Sequence, residues 1–123
     1  MRPVNPLKWS FSLHGVADDQ AQYLGNSGHA SHLGPGGEKL PERIATSAIV
    51  NGRVNEVIEL GSSTSFEILM DLLVDDGLVT RKRRKALLDP NYEYVGIAWG
   101  MHRAHGFCTV IVLADNVSEL STQ

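Results

Sequence analysis

A chain of 123 residues, 42% hydrophobic and 20% charged, has the length and balance of one globular domain that buries a core without staples. A net charge of −3 gives no general attraction to nucleic acid or to an anionic membrane, and nowhere do 18 consecutive apolar residues offer a membrane span. The single cysteine, Cys108, excludes an intrachain disulfide and favours a reducing compartment; residues 1–9 do not read as a signal peptide, although a processed secreted chain would no longer show one.

Leu13, Val16, Ala17, Ala21 and Leu24 recur at helical spacing and predict a helix over 12–25. Ser10 or Ser12 supplies its N-cap and Gly25-Asn26 its stop. Asp18, Asp19, Gln20 and Gln22 fall on the other side, so the helix is expected at a surface. Residues 28–37 hold four glycines and a proline together with His29 and His32, and read as a loop. Gly34-Pro35-Gly36-Gly37 neither follows a clear strand nor opens a clear helix, which argues against a phosphate-binding loop.

Pro41-Glu42-Arg43-Ile44 predicts a short helix, and 54–60, rich in β-branched residues between Gly52 and Gly61, a short strand. Ser62-Ser63-Thr64-Ser65 caps a predicted second long helix with the stripe Phe66, Leu69, Met70 and Leu73, ended by Asp75-Asp76-Gly77. Arg81 to Leu88 reads as a basic turn or short helix stopped by Asp89-Pro90. Such a charge run is ordinarily solvated, and it lacks the interleaved aromatics that single-stranded nucleic acid would need. After it the period becomes two: Val95, Ile97, Trp99 and Met101 alternate with smaller residues, then 107–114 is almost continuously apolar. With 103–106 as the turn, this predicts an antiparallel hairpin at the centre of a sheet. Cys108 falls inside the apolar run and reads as a buried, inert thiol. The polar end of the chain is expected to fray.

Glu56 stands on an otherwise apolar strand, where a carboxylate is costly unless paired, so Arg83 or His32 is the expected partner. His102 and His105 flank the hairpin turn and read as exposed turn residues, or alternatively, with His29, as the rim of a cleft. No catalytic constellation emerges, since neither a nucleophile elbow nor a cysteine beside a base is present.

These pieces, in this order, resemble the CAP superfamily (cysteine-rich secretory, antigen 5 and pathogenesis-related proteins; the SCP-like domain), divergent and shortened at the N-terminus. Leu7-Lys8-Trp9-Ser10 before a helix and then 28–32 resemble the family's opening. Glu56-Val57-Ile58-Glu59-Leu60-Gly61 resembles its Glu-Asn-Ile-x-x-Gly strand, Asp75 to Leu88 its Arg-Gly-His-Arg segment, and 91–98 and 107–114 its last two strands. The resemblance implies an α/β fold, an α-β-α sandwich with a small, mainly antiparallel sheet covered by helices. It divides the chain into an N-terminal segment 1–9, a domain 10–116 and a polar tail 117–123.

The family's cleft, which carries two His and two acids able to hold zinc, falls on His32, Glu56, Asp75 and Arg83. Arginine has no electron pair to give a metal. The expectation is therefore a degenerate site without cofactor, Arg83 pairing with Glu56 or Asp75; any zinc would have only His32, Glu56 and Asp75. The expected function is a non-enzymatic scaffold in a protein assembly, cytoplasmic and of cytoskeletal or ciliary type, binding other proteins but neither nucleic acid nor the membrane interior. Alternatives are a lipid- or sterol-binding protein, secreted or lumenal, and a metal-dependent hydrolase.

Overall fold

The computed structural model describes residues 7–61 and 92–119. The expected helix after Ser62–Ser65, the basic segment 81–88, and with them Asp75 and Arg83, lie outside the described residues. Within these bounds the chain is mixed α/β, with helices packed on a small sheet.

The hairpin forms where the period of two predicts it, as β4 (Tyr94–His102) and β5 (Gly106–Ala114). The strand β3 (Val54–Leu60) runs antiparallel to β5, and β1 (Lys8–Trp9) lies parallel to β4, so part of the supposed N-terminal segment belongs to the sheet. The four strands are thus ordered β1-β4-β5-β3, with the hairpin at the centre. Alternation sorts the side chains. Ala98, Cys108, Val110, Val112 and Ala114 face the helices, whereas Val57, Val95, Ile111 and Leu113 form a second apolar cluster on the other face.

Helix α1 (Phe11–Ser27) lies across β4 and β5. Leu13, Val16, Ala17, Ala21 and Leu24 are buried under it, each large aliphatic contributing about 1.5–3 kcal/mol. Ser10 is the N-cap, its Oγ accepting from Leu13 N at 3.2 Å. The stop is not at Gly25-Asn26. The helix runs on to Gly28, which takes φ 76° and donates its N–H to Leu24 O. Gly25 has a different task, since a Cβ there would strike the carbonyl of Met101 on β4. Gly96 plays the same part at the other end, where a Cβ would run into the Leu13–His14 backbone.

Helix α2 (Leu40–Ala45) matches the predicted short helix, with Pro41 in its first turn and Glu42 Oε1 accepting from Lys39 N at 2.9 Å. The polar end does not simply fray: Val117–Glu119 forms β6, paired antiparallel with β2 (Ala48–Val50). Glu119 then reaches the start of α1, where one carboxylate oxygen accepts from Ser10 Oγ at 2.9 Å and Ser12 N at 2.8 Å. No helix among the described residues is long and apolar enough to cross a membrane.

Candidate functional site

Strand β3 turns Glu56 toward the helices, opposite Val112. Only 2% of its side chain is exposed, so its charge must be met inside the protein. Two partners meet it. Arg43 of α2 places Nη2 at 2.9 Å from both carboxylate oxygens, and His32 places Nδ1 at 2.8 Å from Oε1. The same Nη2 donates to the His32 carbonyl at 2.8 Å, so its two hydrogens serve three acceptors. His32 is thereby held twice, by its ring and by its backbone.

A carboxylate only accepts, so His32 Nδ1 carries the hydrogen and Nε2 faces outward on a ring that is 65% exposed. The loop bearing it is anchored from α1. Gln20 Nε2 donates to the carbonyls of Ser31 (2.9 Å) and Leu33 (3.0 Å), bracketing His32 on both sides. Gln20 is not on the solvent face as expected; it is 1% exposed. The glycines that follow close the loop on itself: Gly34 N donates to Glu38 O, Gly37 N to Gly34 O, and Gly36 N to the Glu38 carboxylate. Beside Glu56 lies a cleft of about 470 Å³ bordered by His32, Leu33, Lys39 and Leu40.

Of the four cleft positions predicted from sequence, the structure brings His32 and Glu56 together, and Asp75 and Arg83 fall outside the described residues. The guanidinium seen on Glu56 belongs to Arg43, which the sequence reading placed in a short helix and gave no role. Nothing periodic marks it, because α2 is only six residues long. Gln20 did carry a signal. It continues the spacing of Leu13, Val16 and Ala17, and a polar residue in that stripe requires buried partners.

The histidines of the supposed rim separate. His105 is exposed in the turn. His102 is neither an exposed turn residue nor a rim group: it is 3% exposed, and both ring nitrogens are engaged. Its Nδ1 accepts the backbone N–H of Ala104 (3.2 Å) and His105 (3.0 Å), so Nε2 carries the hydrogen and donates to His29 O at 2.8 Å. It ties the hairpin turn to the segment leaving α1. His29 is exposed, its Nδ1 3.5 Å from Tyr23 Oη, and it is His32 that takes Glu56. Cys108 is fully buried, and its thiol is pushed up to about 11, first by burial and second by the Glu56 charge. It is no nucleophile at neutral pH.

Zinc needs free electron pairs. Both oxygens of Glu56 are engaged by Arg43, and one also by His32, which leaves His32 Nε2 as the donor facing outward. Among the described residues no three His, Cys, Asp or Glu side chains group as a metal site. Of the positions named for zinc, the described residues thus supply one outward-facing nitrogen and one carboxylate already bound by Arg43 and His32.

The family model for the Cysteine-rich secretory protein family (CAP) matches residues 1–114. No curated protein matches the chain significantly. Among solved structures, an outer surface protein from Borrelia burgdorferi is similar with a TM-score of 0.72 at 17% identity, over 92% of this chain and 80% of that one. An extracellular protein containing a SCP domain from Bacillus anthracis str. Ames gives a TM-score of 0.73 at 18% identity, over 92% of this chain and 35% of that one. At these identities the likeness is one of fold.

Proposed function

Because this chain belongs to the Cysteine-rich secretory protein (CAP) family, we propose that it acts as a non-enzymatic interaction module, a CAP fold whose cleft is held shut to metal by an ion pair. The observation that carries this reading is the engagement of Glu56. A carboxylate bound at both oxygens by one guanidinium nitrogen, at one of them also by an imidazole, and with only 2% of its side chain exposed, is already neutralised and poorly placed to take a cation or a substrate proton. Family membership by itself does not decide between enzyme and scaffold. The chemistry of the described residues favours the scaffold. Its partners would be other proteins.

The test is zinc loading of the purified chain, followed by dialysis and metal analysis. A genuine structural or catalytic site keeps stoichiometric metal, so retention below about 0.1 zinc per chain is expected here. Stoichiometric zinc, together with zinc-dependent hydrolysis of ester or peptide substrates, would overturn the reading. A lipid-binding role is the second reading. It is favoured by an apolar groove of about 340 Å³ between α2 and β2, lined by Ile44, Ala45, Val50 and Val54. Organic extraction of the native protein that yields no sterol or fatty acid would dismiss it.

A further inference from the structure

The bend between β2 and β3 carries Asn51-Gly52, a pairing in which an asparagine side chain meets the least hindered backbone nitrogen that can follow it. Asn51 is exposed, and its carboxamide makes no hydrogen bond among the described residues. The N–H of Gly52 makes none there either, since the bonds at this bend run from Asn51 N to Asn116 O (3.1 Å) and from Arg53 N to Asp115 Oδ2 (2.6 Å). The fold thus leaves free both the side-chain carbonyl carbon and the nitrogen that can attack it. Glycine is also fixed at this place. Its φ is 104°, and a Cβ would come within 2.7 Å of Asp115 Oδ2 and 2.9 Å of Asp115 Cβ, so no side chain fits at position 52 to shield Asn51.

We propose that Asn51 is a site of spontaneous modification, converting through a cyclic imide to isoaspartate and loosening the tie between β2 and β6. Gly52 N bonds to Asn51 Cγ and gives its proton to solvent; the Cγ–Nδ2 bond breaks, and ammonia leaves with a proton returned from solvent. Water then opens the imide. Cleavage at Cγ yields aspartate, whereas cleavage at the main-chain carbonyl yields isoaspartate, in which the chain runs on through Cβ and Cγ. No oxidant or reductant takes part. Either product adds a carboxylate to a bend that already holds Asp115. Isoaspartate also inserts a methylene into the main chain between the bonds made by Asn51 N and Arg53 N. The first of these continues the β2–β6 ladder, and β6 carries the Glu119 that satisfies the start of α1. The inference stands apart from the scaffold reading, because neither Glu56 nor its cleft takes part.

The experiment holds the full chain in warm, mildly alkaline buffer, folded in one sample and unfolded by urea in another, and follows the tryptic peptide 44–53 by mass spectrometry. Asn51 is the only asparagine in that peptide. A gain of about 1 Da is expected there, at a rate within about threefold of the unfolded chain's and at least about tenfold above that at Asn26, Asn55 or Asn116. Part of the product should accept a methyl group from S-adenosylmethionine under a protein isoaspartyl methyltransferase, the signature of isoaspartate. Asn51→Gln should remove the signal and, since the ladder uses backbone atoms, keep β2 and β6 paired. In the isoaspartyl chain the backbone amides of β2 and β6 should exchange about tenfold faster than in the parent. A folded rate more than about tenfold below the unfolded one would overturn the proposal, because the fold would then shield Asn51. So would unchanged exchange in β2 and β6, which would leave the modification without a structural effect.

Discussion

Arg43 and Glu56 were brought out of water together, and each now depends on the other. Their side chains are 10% and 2% exposed. Removing one partner of a buried pair strands the other charge, at about 3–5 kcal/mol, whereas replacing both by apolar residues of similar size is often neutral. Arg43→Met and Glu56→Leu are each expected to lower stability by that order, and the double variant by less than either, as measured by urea denaturation. Equal and additive losses would show that the pair carries no coupling. The fully buried Cys108 yields a second expectation at this scale. Its thiol sits near 11 in the folded chain against 9.0 for an ordinary one, so the raised value supplies stability below pH 9 that is lost as pH climbs through 11. Native protein should leave a disulfide reagent such as DTNB unreacted at pH 8, and one equivalent should react on unfolding. Prompt reaction of the native chain would contradict the burial. From sequence, the need of Glu56 for a partner was legible, because a lone carboxylate on an apolar strand has few alternatives, and His32 was among those named. Arg43 was not legible, since it reaches Glu56 across 13 positions through the placement of a short helix that no periodicity reports.

Packing of α1 on β4 is closer than side chains would normally allow. Gly25 and Gly96 are where the two backbones meet, and His14 Nδ1 donates to Ile97 O at 2.8 Å between them. Gly96→Ala would press a methyl into the Leu13–His14 backbone, which cannot swing aside as a side chain can. A loss of about 2–4 kcal/mol is expected, seen as a fall in the thermal midpoint. Gly15→Ala, with nothing within 4 Å, should be neutral or slightly stabilising by comparison. The same glycines explain what the sequence misreported. Gly25 looked like a helix stop because glycine usually is one there; in this chain it answers a neighbour that sequence does not display. The hairpin and β3 were legible because period two and β-branched runs are local signals. Strands β2 and β6, three residues each, are too short to carry any period, and their pairing spans most of the chain.

At the scale of the molecule, the joint between the beginning and end of the described fold is Glu119. Its carboxylate at the first turn of α1 satisfies Ser12 N and meets the positive end of the helix. Those bonds hold the carboxyl below its ordinary value, the Ser12 backbone first and the Ser10 hydroxyl next. A lowered folded value means stability that is present above the unfolded carboxyl's 4.5 and lost as pH falls through the folded value. Glu119→Gln should therefore lower the thermal midpoint at pH 7, and the gap from the parent should close in acid below both values. A gap independent of pH would mean that Glu119 acts through packing and not through its charge. Nothing in the sequence marked this residue. A glutamate near a polar end reads as solvent-facing until the fold carries it 109 positions back to Ser10.

The order in which the chain is made gives that closure a further meaning. Helix α1 leaves the ribosome long before β4 and β5, whose synthesis begins at residue 94, so its apolar stripe has no sheet to lie on in the interval. The nascent chain must carry Leu13, Val16 and Leu24 uncovered until the hairpin emerges, and α1 gains its Glu119 bonds later still. Folding of this domain thus waits on the hairpin. A ribosome stalled before residue 94 would present a sticky, half-made helix to the chaperones that meet chains at the exit tunnel.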